Sequence, residues 1–108
     1  MNLRKPTTPE AKLMKLLVET ASVTIPPNWH EDLLVMQMDD GGMGSLLLFP
    51  KGFIAEHRMF GALASQHLFQ DTDGVDVLAF LNMDRNGHLF ELDIWKTDFN
   101  PLKQFPEL

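Results

Sequence analysis

The chain has 108 residues, which is one domain, long enough to bury roughly two-thirds of its unfolded surface without staples. Fifteen acidic against nine basic residues leave a net charge of −6, which disfavours a nucleic-acid backbone as partner and either serves solubility alone or steers a basic protein toward the surface. Cysteine is absent, so disulfides, thiolate metal sites and cysteine nucleophiles are excluded together. No apolar run approaches the roughly 20 residues of a membrane span, and Met1 to Pro9 lacks the apolar stretch of a secretory signal. A cytoplasmic protein is expected.

Thr7 and Glu10 have the spacing of a capping box, with Pro9 tolerated in the first turn. Leu13, Leu16 and Leu17 then recur at helical spacing, with Met14 and Val18 widening the apolar stripe. One amphipathic helix over Pro9 to Ala21 is predicted, ended before Pro26 and Pro27. Residues 1–8 form an arm ahead of it. Thr24 to Glu31 reads as an ordered loop with Trp29 packed on the body.

Strands follow. Leu33 to Met38 and Ser45 to Phe49 make a hairpin around Asp39, Asp40 and the turn glycines Gly41, Gly42 and Gly44. Phe53 to Phe60 reads as either a helical turn or an edge segment. Gly61 to Gln70, Val75 to Met83 and His88 to Thr97 complete the set. Their turns, Asp71-Thr72-Asp73-Gly74 and Asp84-Arg85-Asn86-Gly87, hold Gly74 and Gly87 where positive φ is needed. Short links make the strands antiparallel neighbours. The expected fold is α+β, with the N-terminal helix on one face of a mainly antiparallel, about five-stranded meander sheet. The C-terminal piece, 98–108, is expected as a tail laid on the domain.

Side-chain alternation fixes the register of the last hairpin. With Asn86-Gly87 as a two-residue turn, Met83 faces Phe90, Leu81 faces Leu92 and Ala79 faces Ile94 on one apolar face. Asn82–Glu91, Phe80–Asp93 and Leu78–Trp95 then share the other. A one-residue slip mixes the two faces, so the first register is preferred. The preceding hairpin leaves two registers open. The mixed face, with aromatics beside Glu91 and Asp93, is either a docking surface or covered by the tail through Phe99, Leu102 and Phe105.

The chemistry-bearing motifs all fail their spacing. Asp40 to Ser45 has the glycines of a phosphate loop, but no lysine follows until Lys51, and a strand follows instead of a helix. His30, His57, His67 and His88 have no i, i+4 partner for a zinc helix. Counting an EF-hand from Asp71 puts Val75 at position five and Asn82 at twelve, so calcium does not fit. No serine sits in a nucleophile elbow. Glu91 and Asp93 lie on one strand face, the spacing of a solvated acidic pair more than of a catalytic one. No cofactor, no metal and no enzymatic activity are expected.

The stretch Leu89-Phe90-Glu91-Leu92-Asp93-Ile94-Trp95-Lys96-Thr97-Asp98-Phe99-Asn100-Pro101-Leu102 resembles a recurrent ending of an uncharacterised family of small bacterial proteins. The Asp-Gly-Gly-Met-Gly-Ser-Leu turn resembles that family's earlier motif, and the likeness runs from about Leu33 plus Arg4-Lys5-Pro6. Such domains are similar to immunity proteins of bacterial polymorphic and contact-dependent toxin systems. The resemblance implies a protein that neutralises a basic toxin domain by direct contact, with no catalytic residues to carry over. Partner contacts are expected at Asp39, Asp40, Phe80, Glu91, Asp93 and Trp95. A small-ligand or regulatory module is the alternative, and exposed sheet edges also admit a homodimer.

Overall fold

The structure, a computed structural model, describes residues 2–52 and 57–108. Helix α1 spans Thr8–Glu19, and five strands follow: β1 (Leu34–Gln37), β2 (Leu46–Phe49), β3 (Phe60–Gln70), β4 (Asp76–Asp84) and β5 (Leu89–Lys96). A short 3-10 turn, Pro50–Gly52, leaves β2. Of the segment read as a turn or an edge, 53–56 lies outside the described residues, while Phe60 opens β3.

The helix starts as its capping box requires. The Thr7 hydroxyl accepts the Glu10 amide, and the Glu10 carboxylate accepts the Thr7 amide at 2.9 Å. Arg4 then grips the same carboxylate with both guanidinium nitrogens, at 2.7 and 2.9 Å. Burial raises the Glu10 pKa, and Arg4 together with the Thr7 contacts outweighs it, holding the carboxyl below its ordinary range. Twelve residues are marginal as a free helix, so α1 depends on packing: Leu13, Met14 and Leu17 are fully buried against the sheet.

All neighbouring strands are antiparallel, in the order β1-β2-β5-β4-β3. The sheet is thus a hairpin, β1-β2, joined through β2 and β5 to a three-strand meander. One face carries Val35, Leu46, Leu48, Val77, Ala79, Leu81, Leu92 and Ile94, all buried. The helix covers the β3–β4 half of that face. Trp29, Leu102 and Phe105 pack on the same core.

The β4–β5 register matches expectation from Leu78–Trp95 to Asn82–Glu91. At its end the expected Met83–Phe90 pair is corrected: Met83 faces Leu89. The loop has three residues, Arg85 to Gly87, with the Gly87 amide donating to the Asp84 carbonyl and Gly87 at φ 79°. Such a loop would slip the register by one. A bulge at Phe90 takes the extra residue back out, so the faces stay unmixed. The β3–β4 hairpin has the same three-residue loop, Thr72 to Gly74, and pairs Gln70 with Asp76.

Phe99 lies beside Trp95, but from Leu102 on the tail takes a course opposite to the one that would cover Phe80 and Trp95. The Leu102 amide donates to the Gly42 carbonyl, and Leu102 and Phe105 sit against Gly44 on the core side. Pro101 lies so close to Gly42 that a side chain there would press on its ring at 3.3 Å, and Gly42 has φ 80°. The other turn glycines, Gly41, Gly44 and Gly74, also have positive φ.

Candidate binding face

Cross-strand partners share a face, so the second face of the sheet can be read from the register. Glu91 lies opposite both Asn82 and Leu47, Asp93 opposite Phe80, and Trp95 opposite Leu78. On the far side of β4, Phe80 faces Gln66 and Leu78 faces Leu68. The sequence-predicted residues Phe80, Glu91, Asp93 and Trp95 therefore come together on one surface. At its β2 end Arg58 lies over this face, its guanidinium 5.0 Å from the ring of Phe49, which is buried, and its charge acts on Glu91. At the other end Phe99 approaches, its ring 6.0 Å from that of Trp95.

Exposure along this face is high for apolar groups. Leu68 is 57% exposed, Trp95 48% and Phe99 68%. Phe80 and Leu78 are half-buried between them. Phe99 is expected from the sequence as a tail residue against Trp95, where its ring lies, but Leu68 is not singled out there. The signal for Leu68 was its parity on β3, unusable while that hairpin had two open registers.

The carboxylates are not equivalent. Burial raises the Asp93 pKa most, Asp40 adds to it by its charge, and the Asn82 amide, donating to Oδ2 at 2.9 Å, opposes both. Burial likewise raises Glu91, with the Asp93 charge next. Both therefore hold their negative charge less easily than a solvated carboxylate, and a cation placed on them would relieve that.

Asp39 is exposed in the β1–β2 loop. Asp40 is already committed: its carboxylate accepts the amides of Met43 at 3.1 Å and Ser45 at 2.9 Å, closing the glycine turn. Its contribution to this face is its charge beside Asp93, not a free carboxylate.

A side chain missed in the sequence joins the C-terminal tail to the β3–β4 turn and the sheet. Lys96 is completely buried, its ammonium 2.8 Å from Asp71 and 2.6 Å from Asp73, with the Pro101 carbonyl at 3.4 Å. Asp71 also accepts the amides of Thr72, Lys103 and Gln104. This knot pins the tail to the core side and so leaves the opposite face open.

Among the described residues, no group of three or more His, Asp or Glu is placed to hold a metal ion, and no helix is long and apolar enough to cross a membrane. An open groove of about 540 Å³ lies at the other end of the sheet, lined in part by Val23, Gly61, Met83 and Arg85. It is not the enclosed space between helix and sheet that a small-ligand module would call for.

No curated protein and no solved structure matches the chain significantly. Residues 3–106, nearly its whole length, match a family described as a domain of unknown function, DUF6984. The chain belongs to the DUF6984 family.

Proposed function

We propose that this chain is a non-catalytic protein-binding domain of the immunity type, which neutralises a basic toxin domain by covering it with the open sheet face. The observation that carries the reading is the uncovered row Leu68, Leu78, Phe80 and Trp95, bordered by Glu91 and Asp93. Aromatic anchors in a rim of charge are the residues that dominate protein interfaces. The charge complement is basic: the chain carries −6, and the two face carboxylates gain from a nearby cation. A nuclease toxin would supply such charge, because its groove must attract phosphate. The partner class is proposed from the resemblance of the Leu89 to Leu102 segment to an uncharacterised family of small bacterial domains, which are in turn similar to immunity proteins.

The test is affinity purification from the source cells with wild type and Trp95→Ala as baits, at low and high salt. One basic protein bound by wild type, weakened by salt and lost with Trp95→Ala, supports the surface. Growth arrest on expressing that protein alone, relieved by co-expression of this chain, supports the immunity role. Equal recovery by both baits removes the sheet face from the interaction. Recovery of no partner overturns the reading.

A further inference from the structure

The sheet has two edges, and they are treated differently. β1 has four residues, and the arm closes its outer side: the Arg4 amide donates to the Val35 carbonyl at 3.0 Å, and the Val35 amide returns to the Arg4 carbonyl at 2.7 Å. The opposite edge, β3, has eleven residues, Phe60–Gln70. Its first half is irregular, with bulges on either side of Ala62, and the Ala64 carbonyl accepts both the amide and the hydroxyl of Ser22. Its second half, Ser65 to Gln70, is in unbroken register with β4, and among the described residues no segment pairs with its outer side.

Proteins guard such edges with lysine, proline, inward charges or bulges. From Ser65 to Gln70 the strand reads Ser-Gln-His-Leu-Phe-Gln, with none of these. A charge-free edge is also where a chain of net charge −6 can approach its own copy with least repulsion. We infer that β3 is a homodimer edge, on which a second copy of this chain adds its own Ser65 to Gln70 segment antiparallel.

Symmetry fixes the register. The two-fold axis of an antiparallel strand pair is perpendicular to the sheet, so each residue must face one from the same side of the partner. Registers centred on a residue satisfy this; those centred between residues do not. Centring on Leu68 avoids the bulge near Ala64. Leu68 then faces Leu68 of the partner subunit, Gln66 faces Gln70 of the partner subunit, and the two sheets become one of ten strands. Both open faces lie on the same side of it. Edge pairing of this length lies at the small end of specific interfaces, below about 1,200 Å², so the dimer exchanges readily.

The chain has no cysteine, so one introduced residue reports the register cleanly. Directly opposed residues have Cα atoms about 4.5–5.5 Å apart, within the range of about 4.4–6.8 Å that a disulfide spans. Leu68→Cys is expected to oxidise to a covalent dimer at least ten times faster than Trp95→Cys, whose copies lie five strand spacings, roughly 24 Å, apart. In sedimentation, wild type shifts from monomer to dimer with concentration, and added salt strengthens the shift by screening like charges. Leu68→Lys, folded by circular dichroism, stays monomeric. Wild type that remains monomeric throughout, equal oxidation of the two cysteine variants, or an undiminished dimer in Leu68→Lys would each overturn the inference. The inference does not rest on the toxin partner: that contact weakens with salt and depends on Trp95, whereas this one does neither.

Discussion

The Lys96 ammonium lies 2.8 Å from the Asp71 carboxylate, and neither side chain exposes any surface. A buried charge pair is costly to form and costlier to break, because removing one partner leaves the other uncompensated in the interior. Here the pair also receives the Lys103 and Gln104 amides, so it holds the tail as well as itself. Asp71→Asn is expected to give the largest loss of melting temperature among single polar substitutions in this chain. Hydrogen exchange at the amides of Lys103 and Gln104 should rise with it. Unchanged exchange there would show that Leu102 and Phe105 hold the tail alone.

The same pair sets the pH response. Burial raises the Asp71 pKa, but the Lys103 amide, Lys96 and the Thr72 and Gln104 amides outweigh it and hold the carboxyl well below the ordinary range. The unfolded chain then binds the proton more readily than the native one. Asp71's contribution is complete above the ordinary aspartate value near 4 and fades as pH falls below it. Lys96 is raised, its burial outweighed by Asp71 and Asp73, so its contribution holds up to the ordinary lysine value near 10.4 and is lost above. Melting temperature against pH should fall at both limbs, and Asp71→Asn should flatten the acid limb.

Asp93 works in the opposite sense. Its raised pKa means that the native state keeps a proton the unfolded chain releases, so its contribution falls as pH rises through the ordinary aspartate value. Asp93→Asn keeps an oxygen for the Asn82 amide and removes the charge beside Asp40 and Glu91. It should stabilise the fold near neutral pH by less than about 1 kcal/mol, because the group is partly solvated. The gain should vanish below about pH 4. Thermal melts at pH 7 and pH 4 check this, and equal gains at both would trace it to packing instead of charge.

Two glycines should fail for different reasons. Gly87 has φ 79° and open space where a Cβ would go, so Gly87→Ala costs only the left-handed backbone, about 1–2 kcal/mol. At Gly61 a Cβ would collide with the Asp84 carbonyl oxygen where β3 crosses the end of β4. Gly61→Ala should therefore cost more than Gly87→Ala in denaturant titration, despite alanine's better strand propensity. The reverse order would mean that β3 can shift away from β4 freely.

What was legible in the chain was local or periodic. Thr7 and Glu10 specify the helix start through a contact three residues long. The β4–β5 faces could be read because a one-residue error would have put Leu81 against Glu91. Phe90 escaped because a bulge undoes the shift of a three-residue loop, and two opposing irregularities leave the apolar alternation untouched. Lys96 escaped because a lysine closing a strand beside Trp95 looks solvated. Its one signal was parity, two and four residues from the buried Ile94 and Leu92. Its counter-charge, Asp71, lies twenty-five residues away in a turn that reads complete by itself. The direction of the tail followed from that pair, and so did the exposure of the candidate face.

Arg58 offers the last prediction. Its guanidinium is 5.0 Å from the ring centroids of both Phe49 and Phe90, and it donates to the carbonyls of Leu48 at 2.7 Å and Leu89 at 3.0 Å. Asp84 stands 3.8 Å away. The bulge at Phe90 thus turns that ring toward a cation that joins the ends of β2 and β5. A planar fork can meet two carbonyls while lying between two rings, and a single ammonium cannot hold that arrangement. Arg58→Lys keeps the charge near Asp84 yet should lose a carbonyl bond and most of the stacking, at about 1–3 kcal/mol. Arg58→Met keeps the stem's packing but leaves both carbonyls and the Asp84 charge unanswered, so it should cost more. If the two variants melt together, the fork geometry outweighs the charge; if Arg58→Lys melts like wild type, the charge near Asp84 alone is what matters.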